Sequence, residues 1–181
     1  MYFDDVLGLQ ERTGQPVVPR EAVRGVAFRG SLILMVRSEL GDYKLPGGGV
    51  EGREGHREAL TREIAEETGY QCLWVGELIG RVLERRADRY DSTSLFEMAS
   101  YYYLCEVSDR MEGQTLDDYK RDLKFSPVWI SIPEALAANR AVLESFGKKD
   151  LWTRRENHVL LTIWRLQKAG VDLTAKISDR S

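Results

Sequence analysis

Cysteine is scarce. The 181 residues hold two, Cys72 and Cys105, far apart and in no CxxC or metal-ligand spacing. That removes a disulfide scaffold and a cysteine-built metal site, and both residues read as small buried hydrophobes in strands. Two such thiols suit a reducing cytoplasm, which is the expected location. No apolar run approaches the ~18 residues a membrane-spanning helix requires, so no membrane contact is expected. The opening MYFDDVLGLQ is acidic and lacks an apolar stretch, so it does not read as a signal peptide. A basic excess is missing too. Lys+Arg number 26 against 29 Asp+Glu, leaving a net charge of −3. This argues against a surface that coats long nucleic acid, and leaves a small phosphorylated ligand open. There is no internal repeat or low-complexity tract. What remains is ordinary globular composition, 43% hydrophobic and 30% charged, at a length that suits one domain with its own core.

Taken in order, residues 1–21 read as an N-terminal extension, with turn chemistry at Thr13-Gly14-Gln15-Pro16. From Ala22 two β-rich runs, AVRGVAF and SLILMVRS, flank Arg29-Gly30 as a hairpin. Leu32 to Val36 alternates apolar with apolar, which predicts burial on both faces. Gly41-Asp42 marks a turn, and Tyr43-Lys44-Leu45 a short strand. Residues 54–68 read as a helix stopped by Gly69. Residues 70–86 predict one or two strands bent near Gly76 and Gly80. A polar loop over 87–95 leads into a long strand from Phe96 to Val107. A charged connection, 108–124, precedes a strand over Lys124–Ser131. Pro133 opens a helix capped by Ser131 and closed by Gly147. Residues 150–168 predict an amphipathic helix with Leu151, His158, Leu161 and Trp164 on one face, followed by a frayed tail. The expected organisation is a single domain over 1–181, with an extension (1–21), a core (22–148) and a C-terminal helix (150–169).

The chemistry concentrates in residues 46–70. At about 100° per residue, Glu63, Glu66 and Glu67 share one arc at the edge of the apolar stripe Ala59, Leu60 and Ile64, opposite Arg57, Thr61 and Ala65. Like charges at i+3 and i+4 destabilise a helix, and partial burial raises that cost. A hard divalent cation, Mg²⁺ or Mn²⁺, reverses the sign and shares carboxylates with substrate phosphates. Arg62 lies four residues from both Glu58 and Glu66, close enough to fix a carboxylate. Gly47, Gly48 and Gly49 let backbone N–H groups approach phosphate oxygens. An acidic patch alone also reads as a solvated face; the spacing around it removes that reading.

Gly48, Glu54, Arg62-Glu63-Ile64, Glu66-Glu67 and Gly69-Tyr70 spell GX5EX7REUXEEXGU, with U bulky and apolar. The sequence resembles the Nudix hydrolases. The resemblance implies an α/β (α+β) fold, an α/β/α sandwich with a mixed sheet, here with an added C-terminal helix. It implies metal-dependent hydrolysis of the pyrophosphate in a nucleoside diphosphate linked to X, such as a non-standard nucleoside triphosphate or a nucleotide sugar. Glu63, Glu66 and Glu67 would be metal ligands, Glu54 and Arg62 their support, and Gly48 the loop glycine. Glu63 or another acid would deprotonate the attacking water. The alternative is a domain that binds a nucleotide and regulates without turnover.

Outside the box, the resemblance implies one further acid on a downstream strand, for which Glu97 is first choice over Glu106, Asp117 and Asp118. Arg24, Arg29, Arg37, Lys44, Arg85 and Arg86 are candidates for phosphate contacts, and Tyr43 for stacking on a base. Substrate markers of the ADP-ribose, dinucleoside polyphosphate and coenzyme A subfamilies are missing. The extension and the last helix are both compatible with a homodimer.

Overall fold

The computed structural model describes residues 1–11, 14–91, 93–116, 118–146 and 151–173. The order is β1 (Phe3–Gly8), β2 (Val17–Val26), β3 (Phe28–Arg29), β4 (Leu32–Arg37), β5 (Tyr43–Lys44), α1 (His56–Thr68), β6 (Tyr70–Ala87), β7 (Leu95–Met111), the short α2 (Asp118–Asp122), β8 (Ser126–Ile130), α3 (Ile132–Phe146) and α4 (Leu151–Lys168). The first sheet runs β1-β6-β7-β2. Its central pair is antiparallel and each outer strand is parallel to its neighbour. The second sheet is built on β4, with β8 along one edge and β3 and β5 at the two ends of the other, all antiparallel.

Both sheets are covered on two sides. Leu34 of β4 joins Val23, Leu60, Ile64 and Cys105 under α1. Its neighbours Ile33 and Met35 face the opposite way and pack with Val26, Tyr102, Val159, Leu160 and Ile163 under α4. A strand buried on both faces therefore sits in the middle of an α/β/α sandwich. Among the described residues no helix is long and apolar enough to cross a membrane.

The helix that carries the acids is bounded by two glycines. It begins at His56, because Gly55 is extended and its N–H donates to Glu58 Oε2 at 2.8 Å, half of a capping box. Gly69 ends it with φ 70°, its N–H bonded to the Ala65 carbonyl at 2.9 Å. Ser131 caps α3 as expected, its hydroxyl oxygen accepting the Glu134 backbone N–H at 3.4 Å.

Two differences from the sequence reading, in the N-terminal extension and on α4, have physical causes. Part of the expected extension is sheet: β1 pairs in parallel with β6, and β2 starts at Val17. A parallel partner distant in sequence leaves no local turn signal. As the sequence allowed, residues 70–87 form one strand, with a bend near Gly76 and Gly80 taken up by register shifts between Val75 and Gly80. Gly80 has no side chain where the Phe3 ring lies. The buried face of α4 is Thr153, Glu156, Val159, Leu160 and Ile163, rotated from the expected stripe. Leu161 and Trp164 are half-buried, and His158 Nε2 lies 2.8 Å from Asp5 Oδ2 of β1. The displaced face carries polar residues that a hydrophobicity wheel assigns to solvent. Gly147 and the expected frayed tail beyond residue 173 lie outside the described residues.

Arg155 is the largest of these buried polar groups, at 1% exposure. Its guanidinium bonds Glu84 Oε2 at 2.6 Å and Glu156 Oε1 at 3.0 Å. Glu156 Oε2 in turn accepts the Leu45 N–H at 2.9 Å, just ahead of the glycines. Arg155→Met strands the buried Glu156 and the partly buried Glu84 and is expected to cost about 3–5 kcal/mol in urea unfolding. A loss under about 1 kcal/mol would contradict this account.

Candidate functional site

The glycine segment lies along the free edge of β2. Gly25 N–H donates to the Pro46 carbonyl at 2.8 Å, Val23 N–H to Gly48 at 2.9 Å, and Val50 N–H to Glu21 at 3.0 Å. Gly47 has φ 139°, and a Cβ there would strike the Val23 carbonyl. A Cβ on Gly48 would occupy the Glu63 carboxylate. The loop is thus pressed between β2 and α1 closely enough to leave no side-chain volume at either position. Arg24 donates to the Gly47 carbonyl, and the Gly47 N–H donates to Glu67 Oε2 at 3.0 Å.

The acids form a graded series. Glu67 is fully buried, Glu63 nearly so, and the Glu66 side chain is about a third exposed at 32%. Arg62 forks onto Glu54, with Nη2 to Oε1 at 2.6 Å and Nε to Oε2 at 3.2 Å. Its Nη1 lies 3.0 Å from Glu63 Oε1 and 3.4 Å from Glu66 Oε2, and its Nη2 reaches the Gly49 carbonyl at 3.2 Å. One guanidinium therefore ties the loop, the turn and the helix together. The Arg62 hydrogen bond holds the Glu54 carboxyl below its ordinary range, and Glu54 raises the Arg62 pKa in return. Glu58, the other candidate partner of Arg62, caps Gly55 instead.

Buried Glu67 takes Lys44 as counter-ion at 2.6 Å. Burial lowers the Lys44 pKa, and the Glu67 charge opposes that shift. The Lys44 ammonium also sits 4.5 Å over the Phe125 ring. Lys44 thus faces a carboxylate, although the sequence marked it for phosphate. Tyr43 packs against the core, with its backbone N–H and C=O both bonded to the Asn139 amide at 2.6 and 2.9 Å. Arg37 is exposed at the end of β4, in register with Tyr43 and Ser126.

Glu97 is not gathered into the cluster. It bonds Arg85 Nε at 2.9 Å in a pair about nine-tenths buried. It stands opposite Pro19, three residues along β7 from Ser100, the partner of Ala22 where Gly49 bridges β2. At about 3.3 Å per residue that is roughly 10 Å. Arg85 is further held by the Leu9 and Gln10 carbonyls, Arg86 stacks on Phe96 at 4.0 Å, and Arg29 on Trp129 at 4.3 Å.

A residue that sequence reasoning did not single out completes the cluster. Lys120 Nζ of α2 lies 2.7 Å from Glu63 Oε2, 3.5 Å from Glu67 Oε1 and 3.7 Å from Glu66 Oε2. The chain reaches this point because the connection after β7 is stitched to the end of α1: Glu112 N–H to Gly69 O at 2.7 Å, and Thr115 N–H to Glu66 O at 3.0 Å. Three carboxylates converging on one positive centre are a donor set that suits a hard divalent cation. Among the described residues no three such side chains already have metal-ligand spacing. An ammonium contact near 2.7 Å is longer than the ~2.1 Å of a Mg²⁺–oxygen bond, which accounts for that.

The two outer loop glycines separate sterically. Gly47→Ala meets backbone at positive φ and is expected to cost about 2–3 kcal/mol. For a Cβ on Gly49 the nearest neighbour is the Glu21 carbonyl at 3.9 Å, so Gly49→Ala should stay within about 0.5 kcal/mol. Urea unfolding of the two variants checks the order.

A NUDIX domain family model matches residues 18–163. No curated protein matches the sequence. Among solved structures, the fold is similar to a NUDIX hydrolase from Nitrosomonas europaea, at 19% identity over 78% of this chain and 90% of that one, TM-score 0.51. A MutT NUDIX hydrolase from Burkholderia pseudomallei matches at 19% identity over 81% and 98%, TM-score 0.52. A UDP-X diphosphatase matches at 18% identity over 84% and 64%, TM-score 0.54. At these identities the structural likeness concerns the fold, while the family match spans most of the chain. The chain belongs to the NUDIX family and is a hydrolase acting on pyrophosphate bonds.

Proposed function

We propose that this hydrolase cleaves a nucleoside diphosphate linked to a further group, with Mg²⁺ or Mn²⁺ held by Glu63, Glu66 and Glu67. The observation that carries the reading is the convergence of those carboxylates on one cationic centre beside the glycine loop. A non-standard nucleoside triphosphate is the preferred substrate, with a nucleotide sugar second. The two free thiols are in keeping with a cytoplasmic enzyme.

The bound cation supplies charge neutralisation at the phosphoryl oxygens and lowers the pKa of a coordinated water. The chain's own residues position everything around it. Arg62, locked by Glu54, fixes the rotamers of Glu63 and Glu66. Lys44 and the Gly47 N–H fix Glu67 by gripping one oxygen each. Gly48 makes room for the Glu63 carboxylate, and Gly49, with nothing nearer than 3.9 Å to a Cβ, leaves the loop open to the diphosphate. Glu66 is the acid with access to solvent, and we assign it the proton of the attacking water. Glu97 is left out of the ligand set, since its register places it roughly 10 Å along β7 from the loop. Such an arrangement works by positioning and electrostatics, with no covalent intermediate.

The test is pyrophosphate or phosphate release from a panel of nucleotides with Mg²⁺ and Mn²⁺. Turnover of at least one member is expected, abolished by chelation, and Glu67→Gln should lower it at least about a hundredfold with the fold retained by circular dichroism. Tight nucleotide binding with no release from any member would sink the proposal in favour of a regulatory domain.

A further inference from the structure

Four carboxylates, Glu54, Glu63, Glu66 and Glu67, meet three cations in this site: Arg62, Lys44 and Lys120. The cations are not equivalent. Arg62 faces Glu54 bidentately and reaches Glu63 and Glu66 with its remaining nitrogen, from outside the cluster on the Glu54 side. Lys44 holds Glu67 from the side of Phe125 and Trp152. Lys120 alone among the three touches Glu63, Glu66 and Glu67 together, and so sits at their common centre. It also differs in mounting. Lys44 follows from a strand and Arg62 from a thirteen-residue helix, whereas Lys120 stands on a five-residue helix within a long connection.

We propose that Lys120 is an internal cation competing with the divalent metal for the same carboxylates, so that metal binding expels its ammonium and displaces α2. The proposal rests on the assignment of Glu63, Glu66 and Glu67 as metal ligands. Two cations cannot share the centre. A metal about 2.1 Å from a Glu63 oxygen would lie inside the volume of an ammonium 2.7 Å from that residue and within 3.7 Å of the other two. The charges agree with exchange. With Lys120 in place, four negative charges meet three positive. With a divalent ion replacing it, four meet four. With both present the site carries a net positive charge, in an environment that buries Glu63 and Glu67. Lys120 therefore makes the metal-free cluster stable and sets the metal concentration at which it loads. If the ammonium occupies the centre in about nine-tenths of molecules, the apparent metal affinity is reduced about tenfold.

The measurement is Mn²⁺ binding by isothermal titration calorimetry without nucleotide. Lys120→Met should bind Mn²⁺ about tenfold more tightly than the unmodified protein. Lys124→Met, which removes the same charge from the same connection but contacts Glu39, should stay within about twofold. Equal tightening in both variants would reduce the effect to net charge, and unchanged or weaker binding in Lys120→Met would reject competition; either overturns the proposal. Hydrogen–deuterium exchange over residues 118–123 of the unmodified protein gives a readout free of any substitution. Exchange there should rise as Mn²⁺ is added, and a flat response also overturns the proposal. Glu67→Gln separates the two levels. Undiminished Mn²⁺ affinity in that variant rejects the ligand assignment itself, whereas lost affinity there, with none gained in Lys120→Met, rejects only the role of the lysine.

Discussion

The site depends on burying like charges next to one another. Two carboxylates about 4 Å apart repel by roughly 4 kcal/mol at an effective dielectric of 20, and Glu63 and Glu67 are both withdrawn from solvent. Helix α1 can turn that face inward only if positive groups arrive with it. They come from three places in the chain: Lys44 from the short strand before the loop, Arg62 from the helix itself, and Lys120 from the connection after β7. The loop glycines belong to the same constraint. Without side chains, Gly47 and Gly48 let the loop close on Glu67 and Glu63, so the backbone donates where another cation would not fit.

The same constraint links the site to the far side of the sandwich. Arg155 and Glu156 of α4 are buried against Glu84 of β6, and Glu156 carries the chain through Leu45 into the glycines. Arg24 grips the Gly47 carbonyl from β2. The helix on one face and the acids on the other are thus connected through the edge strand and the loop between them. A rigid polar layer beneath the loop suits chemistry that works by placement.

What the sequence made legible was local. The box, the glycine-bounded helix, the doubly buried β4 and the hairpin at Gly30 all depend on neighbours within a few positions, where spacing carries the signal. What it hid was non-local. Lys120 sits among DDYKRD with no periodicity, and its role comes from backbone bonds that tie residues 112–115 to the end of α1. Glu97 had a suitable position beside a polar loop, but its partner Arg85 lies on the adjacent strand, and cross-strand pairing cannot be read from one strand alone. The α4 face was misplaced for a related reason. Thr153, Arg155 and Glu156 are buried because they bond to other elements, so polarity stopped being a guide to exposure.

β1 has a meaning beyond its place in the fold. The eighteen-residue β6 would otherwise end the sheet with a long row of unpaired backbone groups, a template for another chain. β1 covers the Gly80–Arg85 part of that row with six residues, two of them acidic: Asp4 is tied to Arg81 and Asp5 to His158. The Phe3 ring fills the notch at Gly80. A short border with charged side chains of this kind discourages strand-to-strand stacking between molecules. The first eight residues, remote from the acids, thereby serve colloidal stability, and they are a poor place to attach or trim a purification tag.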